Sequence, residues 1–281
     1  AISVITGRSA KIGEHLVTDD RVGVISFTGG VDAGERIIQK AGIKRVLMEL
    51  GSSSAVIVME DIDLMDAVES IASGSFWAAG QDCIGVQRIY IKEGIYGQFR
   101  SAFTERVSNY RTGDKMDEET DMGPMITPGE AERVKRWIDK AINSGAKFLV
   151  GGERDGNYIQ PTVLEKPDKD SEVVKREVFG PVVSIFPIKS IDEGIEESND
   201  SDYGLHAAIF TENINKALYA ARKLRFGGVM INDSTDFRVD YMPFGGFRKS
   251  GIGREGFRFA MEEMSEIKMV TITRKENFNE G

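Results

Sequence analysis

Hydrophobic and polar positions fall into blocks whose period changes along the chain. Val22-Gly-Val-Ile-Ser-Phe27 is a short, almost unbroken apolar run, the pattern of a strand buried on both faces. The Gly-rich stretch Thr28–Gly34 follows, and Ile37, Ile38 and Ala41 then share one face of a helix. Val46–Leu50 and Ala55–Met59 are two more strand-like runs, divided by Gly51 and three serines. Asp63 stands where a helix needs an N-cap, ahead of an apolar stripe at Leu64, Val68, Ile71, Ala72 and Phe76. Gly80-Gln-Asp-Cys83 breaks that helix before a strand at Arg88–Ile91.

The same reading predicts helices over 96–109, 131–144, 214–224 and 255–264. It predicts strands over 148–150, 182–186, 207–210, 229–232 and 268–274, and a strand-like run at 1–7. Strands alternating with helices imply an α/β chain with a mainly parallel sheet. The strand at 268–274 has no hairpin neighbour, so it must pair elsewhere.

Composition narrows the class. A length of 281 residues suggests roughly two domains. With 41% hydrophobic residues the chain has a core to bury, and its single cysteine excludes a disulfide scaffold. A net charge of -9 argues against a nucleic-acid surface. No apolar run nears the ~18 residues of a membrane span, and no basic region leads into an apolar one, so neither membrane nor signal peptide is expected. A cytoplasmic location follows. The chain opens without Met, as a processed protein or a piece of a longer one would.

Candidate chemistry centres on Cys83 and Glu49. A lone cysteine is commonly a small buried hydrophobe. Cys83, however, sits on a turn that could open into a helix, whose first amides would favour a thiolate and bind an oxyanion, although Asp82 beside it opposes ionisation. A cysteine hydrolase would need a base, and His15 and His206 both lie among apolar residues that suit structural histidines. Glu49 interrupts an apolar run. Burial there would raise its pKa and suit a general base, whereas an exposed strand end would make it ordinary. The turn at Gly29–Gly34 could cradle a phosphate but is not a G-x-G-x-x-G fingerprint. The acidic stretch 114–121 lacks calcium-loop alternation, and no metal site is expected.

Several of these stretches, in order, resemble the NAD(P)-dependent aldehyde dehydrogenase superfamily. They are Phe27-Thr-Gly-Gly-Val-Asp-Ala-Gly34, Met48-Glu-Leu-Gly51, and Gly80-Gln-Asp-Cys83 with Arg88. Thr120-Asp-Met-Gly-Pro124, Glu177-Val-Phe-Gly-Pro181, Met242-Pro-Phe-Gly-Gly246 and Ser250-Gly-Ile-Gly-Arg254 match as well. The 34 positions from Glu49 to Cys83 are the family's own separation. The resemblance implies a three-layer α/β/α catalytic domain with a mainly parallel sheet, plus a remnant of a Rossmann-like cofactor domain. It places the remnant at 1–50, the catalytic domain at 51–251, a returning helix at 252–267, an oligomerisation strand at 268–275 and a tail at 276–281. Only about the latter half of a typical member is covered, which implies that the isolated chain is inactive or weakly active.

The resemblance further implies that Cys83 attacks an aldehyde and that Glu49 activates the water releasing a carboxylic acid. NAD or NADP would be held by Thr28, Gly29, Gly30, Leu50, Gly51, Glu177 and Phe179. Gly30 stands where many members carry Ser, and Gly51-Ser-Ser-Ser54 departs from the usual Gly-Gly. Asp82, Phe237, Arg238 and Phe244 would line the substrate pocket. There Arg238 meets an anionic group or pairs with Asp236 or Asp240, while Asp82 favours neutral or cationic aldehydes. A homodimer or homotetramer is implied. A relative passing the acyl group to coenzyme A usually lacks the Glu, and a non-catalytic dimerisation piece would bind no dinucleotide.

Overall fold

The computed structural model describes residues 2–7 and 9–273. The chain begins with α1 (Ser9–Thr18), β1 (Val24–Thr28), α2 (Val31–Ala41) and β2 (Arg45–Glu49). β1 and β2 pair in parallel, from Val24 opposite Arg45 to Thr28 opposite Glu49. After Glu49 the chain leaves this small sheet and enters a larger one at β3 (Ser54–Val58). α3 (Leu64–Phe76) follows, its first turn held by Asp63, whose carboxylate accepts from the amides of Met65 and Asp66 at 3.0 and 3.1 Å.

Next come β4 (Val86–Lys92), α4 (Glu93–Ser108) and α5 (Pro128–Asn143). The N-cap Thr127 and the proline at the first position set the start of α5. β5 (Lys147–Val150), the hairpin β6 (Arg154–Asp155) and β7 (Tyr158–Ile159), β8 (Thr162–Glu165), α6 (Glu172–Lys175) and β9 (Val182–Ile188) continue the chain. α7 (Ile191–Asn199), β10 (His206–Phe210), α8 (Ile214–Lys223), β11 (Gly228–Ile231), β12 (Gly251–Ile252) and α9 (Phe257–Glu263) complete it.

The large sheet runs β11-β10-β3-β4-β9-β8-β5, parallel throughout except where β5 pairs antiparallel with β8. β3 lies inside it and every residue of it is buried. Its side chains alternate between two cores. Ala55 and Ile57 join Val134 of α5, Ile195 of α7 and Ala220 of α8, while Val56 and Val58 join Val68 of α3 and Phe99 of α4. A strand covered by helices on both faces has no polar side to show, and each buried Val or Ile contributes roughly 1.5–3 kcal/mol. This is the expected three-layer α/β/α arrangement.

β12 returns to the small sheet, giving the order β1-β2-β12, and pairs antiparallel with Met48 and Glu49. Gly251 is required there, because its φ is 154° and a Cβ would sit 2.1 Å from the Met48 carbonyl oxygen. Glu49 is thereby locked between strands drawn from opposite ends of the chain.

Four expectations are corrected. β1, read as a buried strand, has no fully buried residue, and Ser26 and Thr28 are exposed, because it is the edge of a three-stranded sheet. Residues 2–6 form no strand, since no neighbouring strand offers them hydrogen bonds. The helix expected over 255–264 spans 257–263, because Glu255 instead bridges to Phe244. Residues 268–273 form no ladder within the chain, and Ile267, Met269, Val270 and Ile272 stand exposed. The end of the strand expected over 268–275, residues 274 and 275, and the tail at 276–281 lie outside the described residues.

Candidate active site

Cys83 is delivered by a turn wound the wrong way for L-residues. α3 ends at Phe76, and Ala78, Ala79 and Gly80 then take φ values of 50°, 58° and 65°. Glycine is needed at the third position, where a Cβ would lie 2.3 Å from the Gly180 carbonyl oxygen. The nucleophile turn thus packs directly on the Glu177–Pro181 turn. Gln81 clamps it: the side-chain amide donates to the Ala78 carbonyl at 3.0 Å, and its oxygen accepts from the Ile126 amide at 2.7 Å.

Cys83 is half-buried, packed against Ile84, Leu205 and Phe244. The turn leads into β4 rather than into a helix, so the expected helix-start amides are not there to favour a thiolate. Burial pushes the thiol up to about 12, and the charges of Asp82, Glu177 and Glu49 add to that effect. Asp82 acts as the sequence suggests. Its own pKa is raised, by burial first and by Asp236 as well, although its carboxylate accepts from the Ile84 amide.

Glu49 is the last residue of β2 and is buried. Its Oε2 has no hydrogen-bond partner, and its Oε1 lies 2.9 Å from where a Cβ on Gly245 would be. Burial pushes this carboxyl up to about 8; Glu255 adds to the shift, while Arg254 and Arg238 oppose it. Gly245 adjoins Phe244, which belongs to the cluster under Cys83. Sulfur and carboxyl therefore converge on the Phe244–Gly245 segment.

Beside Glu49 the β1 end presents exposed Thr28, and the Gly29 amide donates to the Glu49 carbonyl at 3.0 Å. Gly30 is the N-cap of α2 with no side-chain cap bond, and the space where its Cβ would stand is empty. Leu50 fills the space left by Gly34, whose Cβ would approach its Cδ2 to 2.6 Å. Gly51 makes room for Glu177, since a Cβ would lie 2.6 Å from Glu177 Oε2. Glu177 Oε1 accepts from the Ser52 amide at 2.9 Å. Burial pushes the Glu177 carboxyl up to about 7, against that amide and Arg133. Phe179, with φ 46°, is 40% exposed at the cleft edge.

A dinucleotide fits this donor set. The uncapped start of α2 suits a phosphate, though Asp32 in its first turn opposes one. The half-buried Glu177 has a carboxylate oxygen that could meet ribose hydroxyls, and Glu49 Oε2 is buried with no partner among the described residues.

Of the pocket candidates, Phe244 is buried beneath the Arg238 guanidinium, 4.0 Å from its ring centre. Arg238 pairs with Glu255 at 2.8 Å and not with Asp236 or Asp240, because the Phe244–Glu255 bridge brings Glu255 alongside. Phe237 is half-exposed and has no aromatic partner. His206 is fully buried; its Nδ1 bonds the Thr235 carbonyl, its Nε2 has no partner, its ring meets Phe244 edge-on, and burial lowers its pKa. His15 is exposed on α1, away from this cleft. Neither serves Cys83 as a base.

The sequence reading missed Glu255 and the Ser52 amide. Glu255 directly follows the quoted Ser250–Arg254 motif, which was the available signal. The amide had none, because a backbone donor leaves no mark on residue type.

Among the described residues, no helix is long and apolar enough to cross a membrane. The aldehyde dehydrogenase family model matches residues 1–270. The chain is 49% identical to a putative aldehyde-dehydrogenase-like protein y4uC of Sinorhizobium fredii, over 92% of this chain and 51% of that protein. It is 46% identical to 3-sulfolactaldehyde dehydrogenase of Priestia megaterium, over 96% and 57%. A solved structure of glyceraldehyde-3-phosphate dehydrogenase GapN from Methanocaldococcus jannaschii, complexed with NADP, superimposes with a TM-score of 0.93 at 46% identity, covering 96% of this chain and 59% of that one. Betaine aldehyde dehydrogenase from Staphylococcus aureus, in complex with NAD+, gives 0.88 at 34%, covering 92% and 53%. The chain spans a little over half the length of the curated relatives it matches. On motif order, fold and these matches together, the chain belongs to the aldehyde dehydrogenase family.

Proposed function

We propose that this chain carries the catalytic half of an enzyme that oxidises an aldehyde to a carboxylic acid with NAD or NADP. The observation that carries the reading is the convergence of Cys83 and Glu49 on Phe244–Gly245. Cys83, once ionised, adds through its sulfur to the aldehyde carbon and leaves an oxyanion. The nicotinamide, when bound, supplies the acceptor for the departing hydride, and Cys83 is left holding a thioester. Glu49 removes a proton from water as the water oxygen attacks the thioester carbon; the carbon–sulfur bond breaks and the acid leaves. A carboxyl at about 8 is a better base than an ordinary one once it has lost its own proton, which suits this half of the reaction, and the presence of Glu49 favours hydrolysis over transfer to coenzyme A.

Thr28, Gly29, Gly30, Leu50 and Gly51 line the cofactor side, Glu177 faces the ribose, and Phe179 packs near the ring. Arg238, with its side chain 41% exposed, receives an anionic group on the aldehyde in exchange for Glu255. The relatives named for 3-sulfolactaldehyde and glyceraldehyde-3-phosphate act on aldehydes of that charge, which supports this choice. The cofactor-domain remnant at 1–50 and the catalytic domain at 51–251 follow the switch of sheets after Glu49. The exposed apolar residues at 267–272 support a homo-oligomer. A cytoplasmic setting completes the proposal.

The test incubates the chain with NAD or NADP and a panel of anionic and neutral aldehydes, and follows reduced cofactor by absorbance and Cys83 by mass spectrometry. An acyl adduct on Cys83, accumulating in Glu49→Gln and absent from Cys83→Ala, is expected. Because the isolated chain is expected to be weakly active at most, the panel is repeated with the chain fused behind the N-terminal half of the 46% identical 3-sulfolactaldehyde dehydrogenase, and failure of any aldehyde to acylate Cys83 there with either cofactor overturns the reading.

A further inference from the structure

Beyond the cleft, one buried side chain is wired to both flanks of Glu177. Gln87 lies in β4, four residues after Cys83, and is buried. Its Nε2 donates to the carbonyl oxygens of Val173 at 3.1 Å and Arg176 at 2.6 Å. Its Oε1 accepts from the Val178 amide at 3.0 Å. The peptides on either side of Glu177 are thus tied to the strand that follows the nucleophile. Arg133 donates to the Val178 carbonyl at 2.7 Å and holds the next peptide along the same loop.

This pattern demands a carboxamide. Two carbonyls need donors and one amide needs an acceptor, all reached from one position. A carboxylate has no donors, a lysine no acceptor, and an aliphatic residue neither. With both flanks held, Glu177 directs Oε1 at the Ser52 amide and Oε2 at the gap over Gly51. α6, four residues long, adds little rigidity of its own to this segment.

We infer that Gln87 is the positioning residue of the cofactor side: it fixes the Glu177 loop, and through it the carboxylate that meets the ribose. The inference rests on the role proposed for Glu177 above. Gln87 touches no reacting atom. Its effect on dinucleotide binding is therefore expected to run mainly through Glu177, and so to be lost when Glu177 is replaced.

The experiment is a double-mutant comparison of Gln87→Met, a neutral near-isostere, with Glu177→Gln, read in two ways. The first is the dissociation constant for NAD and for NADP, by calorimetric titration into the full chain. The second is the iodoacetamide rate of Cys83 at pH 9, where the Glu177 charge opposes thiolate formation; Cys83 is the only cysteine, so the signal is unambiguous. Gln87→Met is expected to weaken dinucleotide binding about tenfold, since three buried hydrogen bonds are lost, and to speed alkylation severalfold as Glu177 swings away. In the Glu177→Gln background the same substitution is expected to change neither. Equal fold-changes in both backgrounds, or no change in either readout, overturn the inference.

Circular dichroism melts establish that each variant folds. Should Gln87→Met fail to fold, Gln87→Asn, one methylene short, is expected to give smaller losses with the same dependence on Glu177. The chain spans a little over half the length of its relatives, so a wild-type chain that binds neither dinucleotide leaves the cofactor assignment standing. The alkylation pair then still decides whether Gln87 holds Glu177.

Discussion

Replacing Glu49 with Gln is expected to stabilise the fold while stopping the hydrolytic half-reaction. The carboxyl is pushed from an ordinary 4.5 to about 8, burial being the first cause. A carboxyl whose folded pKa is raised contributes stability that is fully present below about 4.5 and is lost as pH rises to about 8. Between those values the unfolded chain has released a proton that the folded chain retains. The change amounts to about 1.4 kcal/mol per pH unit, or about 5 kcal/mol across the window. A neutral amide escapes it, although its new N–H group meets no acceptor at the partnerless Oε2 position, which costs about 1–3 kcal/mol. The net expectation is that Glu49→Gln is about 2–4 kcal/mol more stable than wild type at pH 8.5 and no more stable at pH 4.5. Urea titrations followed by circular dichroism between pH 4.5 and 9 measure this directly. Parallel pH profiles for the two proteins would refute the reasoning, because they would mean that the buried carboxyl ionises as freely as an exposed one.

Ala78→Asn should stabilise the chain by about 0.5–1 kcal/mol in urea melts, since Ala78 is exposed, holds φ 50° and gains nothing from its methyl group. Arg88 is fully buried and donates to the Ser53, Glu197 and Ser198 carbonyls and to the Tyr90 hydroxyl. Arg88→Lys cannot reproduce that planar fork, and a loss of about 3–4 kcal/mol is expected by the same melts. Gly51→Ala places a methyl 2.6 Å from Glu177 Oε2, so dinucleotide affinity should fall at least fivefold in calorimetry while the melting temperature barely moves. Finally, Cys83 in the free chain should react with iodoacetamide at pH 8 more slowly than a thiol in an unfolded peptide, because burial and three carboxyls disfavour its thiolate.

What could be read along the chain is what a single segment encodes. The Asp63 cap, the apolar stripe of α3 and the run at β3 each announce themselves within a dozen residues, and the structure keeps all three. α7 was invisible because five of its nine residues are acidic or Ser and only Ile191 and Ile195 mark an apolar face. β12 is two residues long, and its pairing with β2 exists only because the chain returns across some 200 positions. The site divides in the same way. Ordered motifs carried Cys83, Glu49 and Glu177, but the partner of Arg238 depended on the Phe244–Glu255 bridge, which no local pattern foretells.

The electrostatic state of the site was likewise illegible, and it changes how the nucleophile must be understood. Cys83, Glu49 and Glu177 are all shifted upward, and burial is the first cause in each case. At neutral pH the thiol is therefore protonated, Glu49 is largely protonated and Glu177 is divided between its two forms. Among the main influences on the sulfur, only its own backbone hydrogen bond favours the thiolate; no Arg or Lys side chain is among them. A site so arranged holds a resting thiol. Ionisation requires a positive charge, or displacement of carboxylate charge, in the cleft between Phe244–Gly245 and the Glu177–Pro181 turn. The residues of this chain fix where the sulfur is and which carboxyls surround it, and what enters that cleft decides when the sulfur becomes reactive.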